Sequence, residues 1–275
     1  MVTPFTLEIR EQYRAINLNM RFSMIHRYYL AIVLLLSSWG SAYAQSGKAI
    51  PFYQPHNNPN YEQMWDRLTS SHAAENLALL ANFFKFRRDL KVGYGICNEV
   101  NAFYSPQTST ITICAELLDV VREKVDLLKV DDQKKRQIRS HIITSIFFHE
   151  LGHALIDINK IPITGKEEDV ADQFSAYMEI EHVERKRPEL QLIPATVYFW
   201  KNLGSDTSLR AMANEHSLTP QRAFNVACWA KGAGVPSGDI AIKIVNLPNE
   251  RVVRCAGEYQ RLATGINTLF LPWRR

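Results

Sequence analysis

Residues 142–157 read IITSIFFHELGHALID, and the centre of that stretch is His149-Glu150-Leu151-Gly152-His153. Ile142, Ile143, Ile146, Phe147, Leu151, Ala154 and Leu155 recur at helical spacing and predict a helix with a broad apolar stripe. On a helix, residues four apart lie one above the other. His149 and His153 can therefore present two imidazole nitrogens to one metal ion. Glu150 is one step around, within reach of a water there without being a ligand. Two His ligands, a carboxylate base and an open position are what metal-assisted hydrolysis requires. Two solvated histidines on a helix face are the bland alternative. Gly152 opposes the helix by about 1 kcal/mol relative to Ala, but a glycine beside a ligand lets another backbone come close.

A third ligand must come from outside this helix. Downstream lies GKEEDVADQF, residues 165–174. Thr164 and Glu167 have capping-box spacing, so a second helix is expected to start there. Val170, Phe174 and Met178 continue an apolar stripe, and Glu168 and Asp172 share a face. HExxH followed by a helical Glu-x-x-Ala-Asp resembles the gluzincin-type metallopeptidases. The resemblance implies that Glu168 is the third zinc ligand and that Asp172 accepts the second N–H of His149 or His153. Glu167 is the rival ligand; only Glu168 has an Asp four residues on.

The chain has 275 residues, 46% hydrophobic, with a formal charge of +4. That is enough for a core and one catalytic domain. No basic patch points to nucleic acid. Residues 21–44, RFSMIHRYYLAIVLLLSSWGSAYA, give a basic start, a short apolar run and small residues at Ala42 and Ala44. This is a secretory signal pattern with cleavage expected after Ala44, so no stable membrane insertion is expected afterwards. The polar stretch before Met20 is unlike a signal start, which makes Met20 or Met24 the expected initiator. The domain map is then 1–44 extension and signal, 45–60 linker, and 61–275 catalytic domain. Cys97, Cys114, Cys228 and Cys255 make an even count in an exported chain. Local pairing, Cys97–Cys114 and Cys228–Cys255, is expected.

Residues 61–86 have helical periodicity, and 91–99 and 101–114 look extended. Thr and Ile alternate over 109–114, as in a strand with one buried face. Helices are expected at 115–125, from 131 into the HExxH stretch, and at 190–203, 209–215 and 220–231, with an amphipathic tail over 248–273. The fold class is α+β: a mainly helical, zincin-like domain with a small sheet beside the HExxH helix.

The set CNEVNAFYSPQTSTITICAELL, HELGHALID, GKEEDVADQF, EHSLTPQRAFNVACWA and RCAGEY resembles a bacterial family of zinc metallopeptidases catalogued as a domain of unknown function. The resemblance implies one zinc ion, a peptide or protein substrate, and a strand at Asn101, Ala102 and Phe103 bordering the cleft and pairing with substrate. A zinc in such a site brings its water's pKa to near about 7, and Glu150 takes the proton. His216 is the first candidate for stabilising the oxyanion, with Tyr177 and Arg222 behind it. A non-catalytic zinc-binding envelope protein is the alternative class, and hydrolysis of a non-peptide amide or ester is a third. The retained Glu150 favours turnover. The export expectation has a direct check: N-terminal sequencing of the exported protein should begin at Gln45, and a membrane-retained chain beginning before Leu30 would refute it.

Overall fold

The computed structural model describes residues 46–204, 208 and 217–275, and Ser46–Arg275 forms one compact unit. The leader through Ala44, the helix expected at 209–215 and His216 lie outside the described residues. Strands β1 (Ala49–Tyr53), β2 (Leu90–Gly95), β3 (Ala102–Ser105) and β4 (Thr110–Cys114) form one sheet in the order β1-β2-β4-β3. β1–β2 and β2–β4 are parallel, and β3–β4 is antiparallel. The 45–60 stretch is thus no simple linker, because β1 lies within it. Pro51 disguised this strand in the sequence, yet proline is tolerated on the edge that β1 occupies.

Helices α1 (Glu62–Ser70) and α2 (Ala73–Ala81) lie between β1 and β2. The 61–86 stretch is two helices rather than one, because the chain turns at His72, whose φ is 53°. α3 (Ala115–Asp126) follows β4 directly, and α4 (Asp132–Asn159) carries HExxH. The Asp131 side chain caps α4 by accepting from the Lys134 N–H at 2.7 Å. α4 packs across β3 and β4, burying Ile142, Ile146, Phe147, Leu151 and Leu155, the stripe expected from the sequence.

α5 (Glu167–Met178) runs into a π-helical turn, Glu179–Glu184. Its N-cap is Lys166, with no side-chain cap, so the expected Thr164–Glu167 capping box is not formed. Glu167 is engaged elsewhere, as described below. α6 (Ile193–Asn202), α7 (Thr219–Gly232), α8 (Pro236–Val245), α9 (Asn249–Val252) and α10 (Cys255–Leu269) complete the fold. Pro194 lies in the first turn of α6, where its missing N–H costs nothing. The α8 helix had no expectation from sequence. Both disulfides have the expected local pairing, Cys97–Cys114 and Cys228–Cys255.

α4 and α5 pack closely, and Gly152 is why. A Cβ there would lie 3.1 Å from the Ala171 Cα, a backbone atom that moves only if α5 moves. Gly152→Val should therefore destabilise the protein by about 1–3 kcal/mol, the usual range for overpacking a core. Thermal denaturation checks it; an unchanged Tm would mean that Gly152 does not set the spacing.

Candidate metal centre

The α4–α5 contact brings His149, His153 and Glu168 together. His149 Nε2 lies 3.1 Å from Glu168 Oε2, His153 Nε2 lies 3.2 Å from His149 Nε2, and His153 Nε2 lies 3.4 Å from Glu168 Oε2. A tetrahedral ion with bonds of about 2.0–2.2 Å spaces neighbouring ligand atoms about 3.3–3.6 Å apart. The triangle matches that edge to within a few tenths of an ångström, so these three residues could hold a metal ion.

Both imidazoles are oriented from behind. Asp172 Oδ1 lies 2.8 Å from His149 Nδ1, and Glu167 Oε1 lies 2.7 Å from His153 Nδ1. Asp172 has the bracing position expected of it. Glu167, the rival candidate, instead lies against the Nδ1 of the other histidine, on the side of the ring opposite Glu168. Holding each Nδ1 fixes the tautomer and aims Nε2 at the centre of the triangle.

Arg222, on α7, donates to both Asp172 oxygens, from Nη2 at 2.6 Å and Nε at 2.9 Å. Its guanidinium lies 3.8 Å above the Trp200 ring, an arrangement suited to a planar cation. Arg222, a candidate oxyanion donor by sequence, is thus committed to Asp172. Tyr177 is also turned away. It lies nine residues beyond Glu168, about half a turn around α5 at roughly 100° per residue, and its hydroxyl donates to Asn267 Oδ1 at 2.9 Å. His216 is outside the described residues, but the next residue, Ser217, donates to Asp169 Oδ1 at 2.6 Å.

Glu150 is buried. Burial pushes its carboxyl above the ordinary value, while the His149 and His153 imidazoles pull it back. Burial works against a charged His149 as well, but the hydrogen bond and charge of Asp172, with Glu168, raise it from 6.5 to about 9. Glu168 and Asp172 also resist ionisation through burial. His149 and His153 overcome this for Glu168, and Arg222 and His149 for Asp172, so both carboxyls sit far below the usual range. With neutral imidazoles, the carboxylates of Glu150, Glu167, Glu168 and Asp172 face one guanidinium. A divalent cation offsets that excess, and in its absence protons on the histidines do so.

A family model, DUF4344, described as "Putative metallopeptidase", matches residues 53–270. The chain belongs to this metallopeptidase family. No curated protein and no solved structure is similar enough to this chain to match. Membership gives the chain a peptidase role and a peptide or protein substrate in broad terms, and His149, His153 and Glu168 form a site that could hold the metal such a family implies. Among the described residues no helix is long and apolar enough to cross a membrane.

Sequence reading missed the Glu167 brace, because a helix start explained that acidic residue equally well. It also missed the Asp172–Arg222 pair, because residues fifty positions apart leave no spacing signal.

The raised His149 pKa carries a sign for stability. A histidine raised on folding contributes stability that is fully present below its ordinary 6.5 and lost as pH rises through about 9. Metal-free protein should therefore lose Tm between about pH 6.5 and 9. Metal-loaded protein should instead lose Tm on acidification, as protons displace the ion. Calorimetry across pH with and without a chelator checks this; parallel slopes would count against the metal centre.

Proposed function

We propose that this chain is an exported zinc-dependent metalloendopeptidase of the gluzincin type. The observation that carries the reading is a metal-sized triangle of His149, His153 and Glu168 atoms with Glu150 buried beside it. In this reading His149 and His153 offer Nε2 and Glu168 offers Oε2, while Asp172 and Glu167 hold the two imidazoles. Bound zinc supplies a Lewis acid and acidifies water. Glu150 accepts a proton from the water that attacks the peptide carbonyl and returns it to the leaving amine. Its raised pKa suits it to both transfers.

Substrate is placed along β3. The Cys114 N–H donates to the Asn101 carbonyl, and the register pairs Ala102 with Ile113 and Tyr104 with Ile111. In an antiparallel pair, alternate residues bond the partner strand. Phe103 therefore bonds β4, and Ala102 and Tyr104 turn their backbone groups to the free edge. An extended peptide adds there as a further strand, with Asn101, Ala102 and Phe103 as its border. The Tyr104 hydroxyl donates to Asp157 Oδ2 at 2.7 Å, fastening this edge to the HExxH helix one turn past His153. His216 remains the proposed oxyanion donor on the sequence reading alone. Export rests on the signal pattern ending at Ala44, with cleavage leaving a periplasmic or secreted protein, and two disulfides fit an oxidising compartment.

Glu150 separates this reading from a zinc-binding protein without turnover. Glu150→Gln should abolish peptide cleavage and leave zinc bound, whereas His149→Ala or His153→Ala should lose both. Asp172→Ala should cost about 10–100-fold in affinity or activity. The check is metal analysis of each purified variant beside a proteomic cleavage screen. Full activity in Glu150→Gln would remove Glu150 as the base.

A further inference from the structure

The α4–α5 contact does not end at the metal triad. Below Asp172 on α5 and before His149 on α4 lies a buried cluster of His141, Ser145, Ser175 and Glu179, joined from α6 by Thr196. The Ser145 hydroxyl donates to Glu179 Oε1 at 2.5 Å, and Thr196 Oγ1 donates to Glu179 Oε2 at 3.1 Å. His141 Nε2 lies 2.9 Å from Glu179 Oε2, at an angle unfavourable for a good hydrogen bond. The Ser175 hydroxyl donates to the Ser145 backbone carbonyl at 2.7 Å. In a helix that carbonyl is the acceptor for the N–H four residues on, which is His149.

These contacts form a ladder. His153 meets Glu167 and Glu168, His149 meets Asp172, Ser145 meets Ser175, and Ser145 and His141 meet Glu179. Each four-residue step back along α4 is met by a step of three to five forward along α5 and into the π-helical turn that continues it. The ladder spans about 18 Å at about 1.5 Å per residue. Its upper rungs are the proposed metal ligands and their braces. Its lower rungs are closed on themselves and buried, and the reaction described above does not use them.

We infer that Glu179 is a positioning residue: it fixes the register of α5 on α4 so that Glu168 meets the two histidines. The inference rests on the zinc reading above. Apolar contact between helices is non-directional and does not by itself forbid a slip or a rotation. A slip of one turn displaces Glu168 by about 5.4 Å, more than the whole triangle. Hydrogen bonds are directional, and a buried carboxylate left without its donors is strongly disfavoured. Glu179 takes donors from α4 and α6 at once, so only one register satisfies it.

The test compares Glu179→Leu, Glu179→Gln and Ser175→Ala with wild type. Ile111→Ala, buried in β4 and contributing no rung to the ladder, serves as a control for lost stability. Zinc affinity is measured by chelator competition well below every Tm, and coordination is read from the visible spectrum of cobalt-substituted protein. Glu179→Leu should bind zinc about 10–100-fold more weakly, in the range of residues that orient ligands, with an altered cobalt spectrum. Glu179→Gln, which keeps an acceptor for Ser145, should restore most of both. Ser175→Ala should show a smaller loss in the same direction, and it carries the test alone if Glu179→Leu does not fold. Ile111→Ala should lose Tm and keep wild-type affinity and spectrum. Wild-type affinity and spectrum in folded Glu179→Leu, or in Ser175→Ala where it stands alone, would overturn the inference. A wild-type protein that binds neither zinc nor cobalt would overturn the metal reading instead.

Discussion

The close approach of α4 and α5 is the constraint on which the site depends. The candidate ligands come from two helices, two from α4 and one from α5, joined only by the turn from Lys160 to Lys166. Gly152 against Ala171 brings the backbones near enough for the His149, His153 and Glu168 side chains to meet within one ion's coordination distance. A larger residue at either position adds to the helix spacing directly. The neighbouring polar pairs then act on rotation and register, which the small-residue contact leaves free.

Charge explains why so polar a seam can be buried. Glu150, Glu168 and Asp172 would be costly in a protein interior if each stood alone. Asp172 is held by His149 and Arg222, and Glu168 by both histidines. Arg222 in turn rests on Trp200, whose ring face favours a cation. Glu150 keeps a raised pKa and forms part of neither carboxylate brace. The residue proposed as the base is thus the one whose proton affinity the surroundings increase, while the two carboxylates that hold ligand positions are kept ionised. One helix pair separates the roles by environment alone.

Legibility in the sequence followed the range of the interaction. HExxH spacing, the α4 stripe, the Thr-Ile strand and the shared face of Glu168 and Asp172 are local patterns, and each stands in the structure. The break at His72 was hidden because apolar spacing continues on both sides of it. Strand β1 was hidden by Pro51, which reads as irregular unless the strand is known to lie on an edge. Arg222 was legible only as a basic residue, because its partner is fifty positions away. The Glu179 cluster lies between these cases. His141, Ser145 and His149 recur four residues apart beside the apolar stripe of α4, a polar row visible in the sequence, but nothing local named the carboxylate that meets it.

The two disulfides bear on the site more than their distance from it indicates. Cys97–Cys114 ties the segment before β3 to the end of β4, so the edge strand is anchored at the end opposite its Tyr104–Asp157 contact. Cys228–Cys255 ties α7 to the start of α10, and Cys228 lies less than two turns beyond Arg222. One bond steadies the wall along which a peptide would lie, and the other steadies the helix that holds Asp172. Closing loops of 17 and 27 residues stabilises a fold by about 3 kcal/mol each in the chain-entropy account. That gain falls on β3–β4 and on α7–α10, while α4 and α5 are held by packing and their own polar contacts. Both bonds fit an oxidising compartment, and they add constraints at β3–β4 and at α7–α10, on either side of a helix pair that carries no disulfide of its own.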